Sequence, residues 1–267
     1  MNLLLPGMYI AADTVLHRLD PRIKMGAALA LMVLVFVIRG LASYALLTVF
    51  VIAVAILSTA PPMALLRTLR TIFWLGCLMF FFRLFTTPGQ PLVVVGQLAV
   101  TREGLLAGAT QVYRLCLLVL ISALLTFTTS PTQLAHGLEV LFKPLSQIGL
   151  PVREFALVLT IALRFAPALL EEIDKIGKAQ QARGVDMTSR NPLQQMASWS
   201  PLFVPIFVAA FRRAEELATA MEARGFRGAQ YRTRLHQLRL SRQDLLATLT
   251  TLFVSLVIIG LEKGLYI

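Results

Sequence analysis

The chain has 267 residues, is 57% hydrophobic and carries a formal net charge of +11. That apolar content excludes an ordinary soluble domain, and long apolar runs separated by basic residues describe a polytopic membrane protein. The basic balance fits positive-inside topology and not nucleic-acid binding, because no aromatics interleave with it to stack bases.

Residues 1–24 form a short leader. MNLLLPGMYI lacks a basic region ahead of its apolar run, so no cleaved signal peptide is expected. His17-Arg18-Leu19-Asp20-Pro21-Arg22 reads as a helix entrance. Asp20 suits the N-cap, and Pro21 suits the first helical position, where its missing N–H costs nothing. Arg18, Arg22 and Lys24 stand just before an apolar run and place this end in the cytoplasm.

Met25 to Leu57 is apolar over 33 residues, too long for one straight span. Arg39-Gly40 splits it into two short spans joined by a tight outer turn. Ser58 to Arg70, with Pro61, Pro62, Arg67 and Arg70, is expected to be an inner loop. Thr71 to Phe85 is an aromatic-rich third span, short unless Leu65 to Leu69 add a turn. Thr86 to Glu103 holds Pro88, Gly89, Pro91 and Gly96 and reads as an outer loop or re-entrant piece. Gly104 to Thr129 is the fourth span, running inward. Arg114 lies well inside it, where a charge costs about 2.5–3.5 kcal/mol and must face protein or water. It is either a buried arginine bonded to a neighbouring helix or a contact for a partner or substrate.

The character changes at Ser130. Ser130-Pro131 opens a helix expected to reach Ile148, and Gly149-Leu150-Pro151 ends it. The next helix starts near Val152. Its apolar positions Ile161, Phe165, Leu169, Ile173 and Ile176 make one continuous face, and Glu171–Lys175 and Asp174–Lys178 are favourable i,i+4 pairs. After a polar turn at 186–191, a second long helix carries Ile206, Ala210, Ala214, Leu217 and Met221 along one face. Gly225 to Arg242 is basic and suits an anionic membrane surface. Leu245 to Leu261 is the last span.

The two long helices end alike. The first closes on Gln180-Gln181-Ala182-Arg183-Gly184 and the second on Met221-Glu222-Ala223-Arg224-Gly225, with the arginines 41 residues apart. One such end is ordinary helix punctuation: glycine takes the left-handed cap and a basic residue complements the dipole. Two copies on similarly built helices point to a surface presented twice. Residues 130–242 hold 15 of the 25 Lys and Arg and are expected on the cytoplasmic side, with Ile267 outside.

The expected fold is all-α, a polytopic membrane protein of about five spans with a cytoplasmic-side module of long helices. The divisions are 1–129, 130–242 and 243–267. Cys77 and Cys116 lie in apolar stretches and read as free thiols; His17, His136 and His236 have no metal-ligand spacing. No phosphate loop is present, so ATP hydrolysis through that motif is not expected, and no cofactor or metal is implied.

HRLDPRIK, ALRFAPALLEE and the paired AQQARG and AMEARGF resemble the transmembrane T component of energy-coupling factor (ECF) transporters, vitamin and metal-ion importers of the ABC class. The resemblance implies a non-catalytic subunit in a prokaryotic cell membrane. Its partners would be two ATP-binding cassette subunits and a substrate-capturing S component. It makes Ala182-Arg183-Gly184 and Ala223-Arg224-Gly225 the ends of coupling helices, each docking on one ATPase. Arg114 and Arg164 are structural or partner contacts. The second motif continues as Phe226-Arg227-Gly228, which Val185-Asp186-Met187 does not match, so the two docking sites are expected to differ. The length and the HRLDPR leader look more like the shared, vitamin-serving kind. A competing reading is a self-contained transporter with its own substrate site around Arg114, Gln111 and Tyr113. An intramembrane enzyme would need paired carboxylates or a nucleophile–base constellation, and none is visible in the spans.

Overall fold

The computed structural model describes residues 14–95, 98–184, 192–228 and 241–264. Helices dominate: α1 (Val15–Arg18), α2 (Pro21–Val37), α3 (Leu41–Leu57), α4 (Pro62–Thr86), α5 (Arg102–Thr128), α6 (Pro131–Leu141), α7 (Val152–Ala182), α8 (Pro192–Ala223) and α9 (Arg242–Gly264). The readings made for residues 1–13, for Val185-Asp186-Met187 and the turn at 186–191, for the basic stretch within 229–240 and for Ile267 lie outside the described residues. The chain forms two compact units. One comprises Met1–Gly137 with Leu238–Ile267; the other is Leu138–Gln237.

The first unit is a bundle of α2, α3, α4, α5 and α9. Its core is an aliphatic seam of Leu31, Leu34, Val35, Leu47, Val51, Leu117, Ile121 and Ile258. Apolar side chains also cover the outside: Trp74 is 79% exposed and Phe253 69%. Large exposed apolar faces on intrahelically bonded backbone suit lipid and not water. Pro62–Thr86, Arg102–Thr128 and Arg242–Lys263 are long and apolar enough to cross a bilayer, and Leu41–Leu57 is a shorter apolar helix. The protein is a membrane protein of the all-α class.

Three sequence expectations shift. The inner loop shrinks to residues 58–61, because Pro62 starts α4 at N1 and the helix absorbs Arg67 and Arg70. The outer loop becomes an antiparallel hairpin, β1 (Pro91–Val95) with β2 (Leu98–Thr101), in which Val94 pairs with Ala99 and a bulge lies between Pro91 and Val93. The helix opened by Ser130 stops at Leu141 and continues as a 3-10 turn, Lys143–Ile148, closed by Gly149 at φ +87°. Its start is a capping box: Ser130 Oγ accepts from Gln133 N at 3.3 Å, and Gln133 Oε1 accepts from Ser130 N at 3.1 Å.

In the second unit α7 packs on α8. On α7, Ile161, Phe165, Leu169 and Ile176 are half-buried while Ile173 is exposed; on α8, Ile206, Ala210, Leu217 and Met221 are half-buried while Ala214 is exposed. Other apolar side chains of the two helices stay open, with Phe155, Val158, Phe207 and Phe211 all more than half exposed. Of the two anticipated ion pairs, Asp174–Lys178 closes at 2.6 Å, and Glu171–Lys175 is not an ion pair.

Candidate functional site

The two Ala-Arg-Gly ends lie in the second unit. Ala182, Arg183, Gly184, Ala223, Arg224 and Gly225 are all exposed. Each helix runs through its alanine and leaves helical geometry at the arginine. Gly184 has φ +89° and Gly225 φ +74°, the left-handed conformation that a Cβ would strain.

The hydrogen bonds show how each end closes. Gly184 N donates to Gln181 O at 2.9 Å, and Arg183 N to Gln180 O at 3.1 Å. At the second end Gly225 N donates to Glu222 O at 2.8 Å and Phe226 N reaches back to Met221 O at 3.0 Å. Those two bonds make a complete Schellman motif, in which an apolar residue beyond the glycine accompanies the turn. Phe226 holds that place and is still 39% exposed. Gly228, at φ +102°, then turns the chain again. Each end therefore offers a guanidinium on a rigid stub. A permanently charged planar fork fits a carboxylate in a groove. Arg164 is also exposed, in the apolar half of α7 and away from its end.

Arg114 is half-buried and bonded within the first unit. Its Nε and one terminal nitrogen donate to Tyr44 Oη at 3.1 and 2.9 Å, and that nitrogen also donates to Ile38 O at 3.1 Å. Ile38 caps α2, so the cation sits at the negative end of a helix dipole belonging to another helix. Tyr44 Oη itself donates to Ile38 O at 3.0 Å, and Tyr113 bonds Thr48. Gln111 is absent from this group. The geometry is that of an interhelical bolt.

The centre of the HRLDPR stretch, Leu19, Asp20 and Pro21, is buried, while Arg18 is exposed. Asp20 caps α2 by accepting from Arg22 N at 2.9 Å. Its own amide donates to Asp244 Oδ1 at 2.7 Å, while Asp244 Oδ2 accepts from Ser241 N at 2.7 Å. Lys24 Nζ donates to His17 O at 3.1 Å and to Thr128 O at 3.0 Å. One polar clamp thus joins α1, the start of α2, the end of α5 and the start of α9. A second lies at the other end of α9, where Glu262 Oε1 accepts from Arg39 N at 2.8 Å and from Gly40 N at 3.0 Å. Asp244, Tyr44 and Glu262 were not singled out from the sequence for any such role, and Lys24 was read only as a topology charge. Ser241-Arg242-Gln243-Asp244 is a capping-box pattern ahead of an apolar run and marks Asp244. Nothing in the sequence marks its long-range partner. Cys77 and Cys116 are free thiols. No cluster of metal-ligating side chains occurs among the described residues.

Comparison with known proteins matches residues 12–237 to the family CbiQ, cobalt transport protein. The chain is 47% identical over 245 residues to the energy-coupling factor transporter transmembrane protein EcfT of Thermosediminibacter oceani, covering 92% of each chain. It is 42% identical over 258 residues to EcfT of Acidaminococcus fermentans, covering 97% of this chain and 96% of the relative. It is 40% identical over 261 residues to EcfT of Bacillus subtilis, covering 97% of both.

Proposed function

We propose that this chain, which belongs to the EcfT family of energy-coupling factor transporter transmembrane proteins, is the non-catalytic coupling subunit of an ABC-class importer in a prokaryotic cell membrane. In this reading residues 130–242 form the coupling module on the cytoplasmic side, between membrane segments 1–129 and 243–267. Two ATPase subunits dock on Ala182-Arg183-Gly184 and Ala223-Arg224-Gly225. Their closing and opening moves α7 and α8 as stiff levers, and that motion reaches a separate S component that holds the vitamin or metal ion.

The observation that carries this reading is the pair of exposed, glycine-closed arginine ends on two packed helices. A helix of 31 or 32 residues that is polar at its motif end and apolar at its start is suited to join a soluble engine to a membrane partner. The second end differs in its Schellman turn and in Phe226, so the two ATPase contacts are not equivalent.

Crosslinking tests it. Ala182→Cys and Ala223→Cys, introduced after replacement of Cys77 and Cys116, are each expected to capture one ATPase subunit in membranes. Where the two ATPases are distinct polypeptides, the two sites capture different partners. Capture at neither site, with the complex otherwise assembled, removes the reading.

A further inference from the structure

The first unit contains an apolar cavity of about 390 Å³. It lies where α2 and α9 begin and where α3 and α5 end. Leu31, Val54, Leu124 and Leu246 are among its walls, and among the described residues Lys24 is the one charged side chain lining it. The lining runs along α2 from Lys24 to Leu31, about 10 Å of helix rise, against about 15 Å for one leaflet of hydrocarbon. Its volume holds on the order of a dozen methylene-sized groups, taking a water's share of liquid as about 30 Å³. Water has few partners there, whereas a hydrocarbon chain gains dispersion contacts with the walls.

Charge at this end has a definite sign. Lys24 spends two of its three ammonium protons on the carbonyls of His17 and Thr128, and the third remains for a ligand oxygen. Arg18, Arg22 and Arg242 stand on the elements that form the same end, against two carboxylates, Asp20 and Asp244. Both oxygens of Asp244 accept backbone amides, and Asp20 caps α2. Arg22 pairs with Asp20 at 3.8 Å, and among the described residues lysines and arginines still outnumber carboxylates at this end, which gives the apolar shaft a net basic rim.

We propose that this cavity binds one acyl chain of an anionic phospholipid, with the phosphate at Lys24. The lipid then packs against the clamp that joins the start of α2 to the start of α9, as an interstitial part of the membrane unit. This inference rests on the membrane placement of the bundle and not on the coupling role of the arginine ends.

The experiment uses the full-length chain in phosphatidylcholine vesicles containing phosphatidylglycerol with a photoactivatable acyl chain. Adducts are expected to concentrate on peptides covering Ala27–Leu31 and Leu246–Thr251. Ala247→Phe fills the cavity and lowers those adducts about tenfold, the effect of excluding two or so methylenes from a site, while adducts on the Trp74 face of α4 stay unchanged. Unlabelled phosphatidylglycerol competes, phosphatidylcholine does so poorly, and Lys24→Gln erases the difference. Should Lys24→Gln fail to fold, the Ala247→Phe arm still decides. Adducts spread evenly over the exposed helix faces, or indifferent to Ala247→Phe, overturn the site. Equal competition by the two lipids overturns the preference for an anionic headgroup.

Discussion

Arg183 and Arg224 each occupy the position where a helix ends and a left-handed glycine follows, so their backbones are set by the cap and their side chains are free to serve something else. Reversing either charge separates those two duties. Arg183→Glu or Arg224→Glu is expected to weaken ATPase association by about 2–5 kcal/mol, one to three or more decades in affinity. The helix itself loses only about 0.3–1 kcal/mol of dipole interaction. Co-purification with the ATPases together with circular dichroism of the isolated chain reads both quantities. Unchanged association in both variants would reduce the arginines to helix punctuation. Asp244 is the opposite kind of residue, with each carboxylate oxygen committed to a backbone amide. Asp244→Ala leaves a buried donor, Asp20 N, and a part-buried one, Ser241 N, without acceptors, and about 1–3 kcal/mol of stability should go with the buried one, the part-buried one adding less. Asp244→Asn keeps one acceptor oxygen and falls between the two. Thermal denaturation in detergent ranks the three proteins, and an unshifted midpoint for Asp244→Ala would remove the clamp from the account of stability.

Between elements, α4 and α5 pack where α5 is bare of side chains. Gly104 and Gly108 form a G-x-x-x-G pair. A Cβ on Gly108 would lie 2.9 Å from the Phe80 ring and 3.3 Å from Phe80 O, and one on Gly104 would lie 2.8 Å from Leu84 O. Small residues at that spacing let two backbones approach in lipid, where apolar burial does not by itself drive helices together. The hairpin β1–β2 and the Thr101 cap, which accepts from Gly104 N at 3.0 Å and donates to Thr87 O at 2.8 Å, then join the two helices at that end. Gly108→Val is therefore expected to separate the helices and cost about 1–3 kcal/mol by overpacking. Gly26→Ala, on α2 with nothing within 4 Å of the added methyl, should be tolerated. Detergent-extracted stability of the two variants checks this, and equal midpoints would mean that the close approach is not needed.

For the whole molecule, the two clamps define a direction. The start of α9 bonds the start of α2 through Asp244 and Asp20, and the end of α9 bonds the α2–α3 turn through Glu262. The helices run parallel, and the 19 steps from Asp20 to Arg39 span about 28 Å, close to a hydrocarbon core of about 30 Å. Arg39→Cys and Lys263→Cys should label from one face of sealed vesicles, and Arg18→Cys and Gln243→Cys from the other. With basic residues inside, the second pair is expected on the cytoplasmic face, and the proposed coupling role predicts the same face for a cysteine at Ala182. Labelling of Arg39 and Lys263 from opposite faces would break the parallel arrangement, and labelling of Ala182 from outside would remove the coupling module from the cytoplasm.

Much of this was legible in one dimension, because the information was local. Apolar runs and basic loops marked a helical membrane protein. Asp20-Pro21 and Ser130-Pro131 marked helix starts, since a cap is made by neighbours in the chain. The repeated Ala-Arg-Gly marked two exposed helix ends for the same reason, a positive-φ glycine being a local demand. What the tertiary structure alone decided is where distant residues meet. Arg114 spends its fork on Ile38 and Tyr44, some 70 residues away in the chain. HRLDPR closes on Asp244 across 224 residues, and Glu262 caps a turn 222 residues before it. No periodicity encodes such partners: a lone carboxylate near a helix end looks the same whether it faces solvent or a buried amide. Only the packing of α2 and α9 side by side supplies the acceptor, the donor and the exclusion of water that make each contact count.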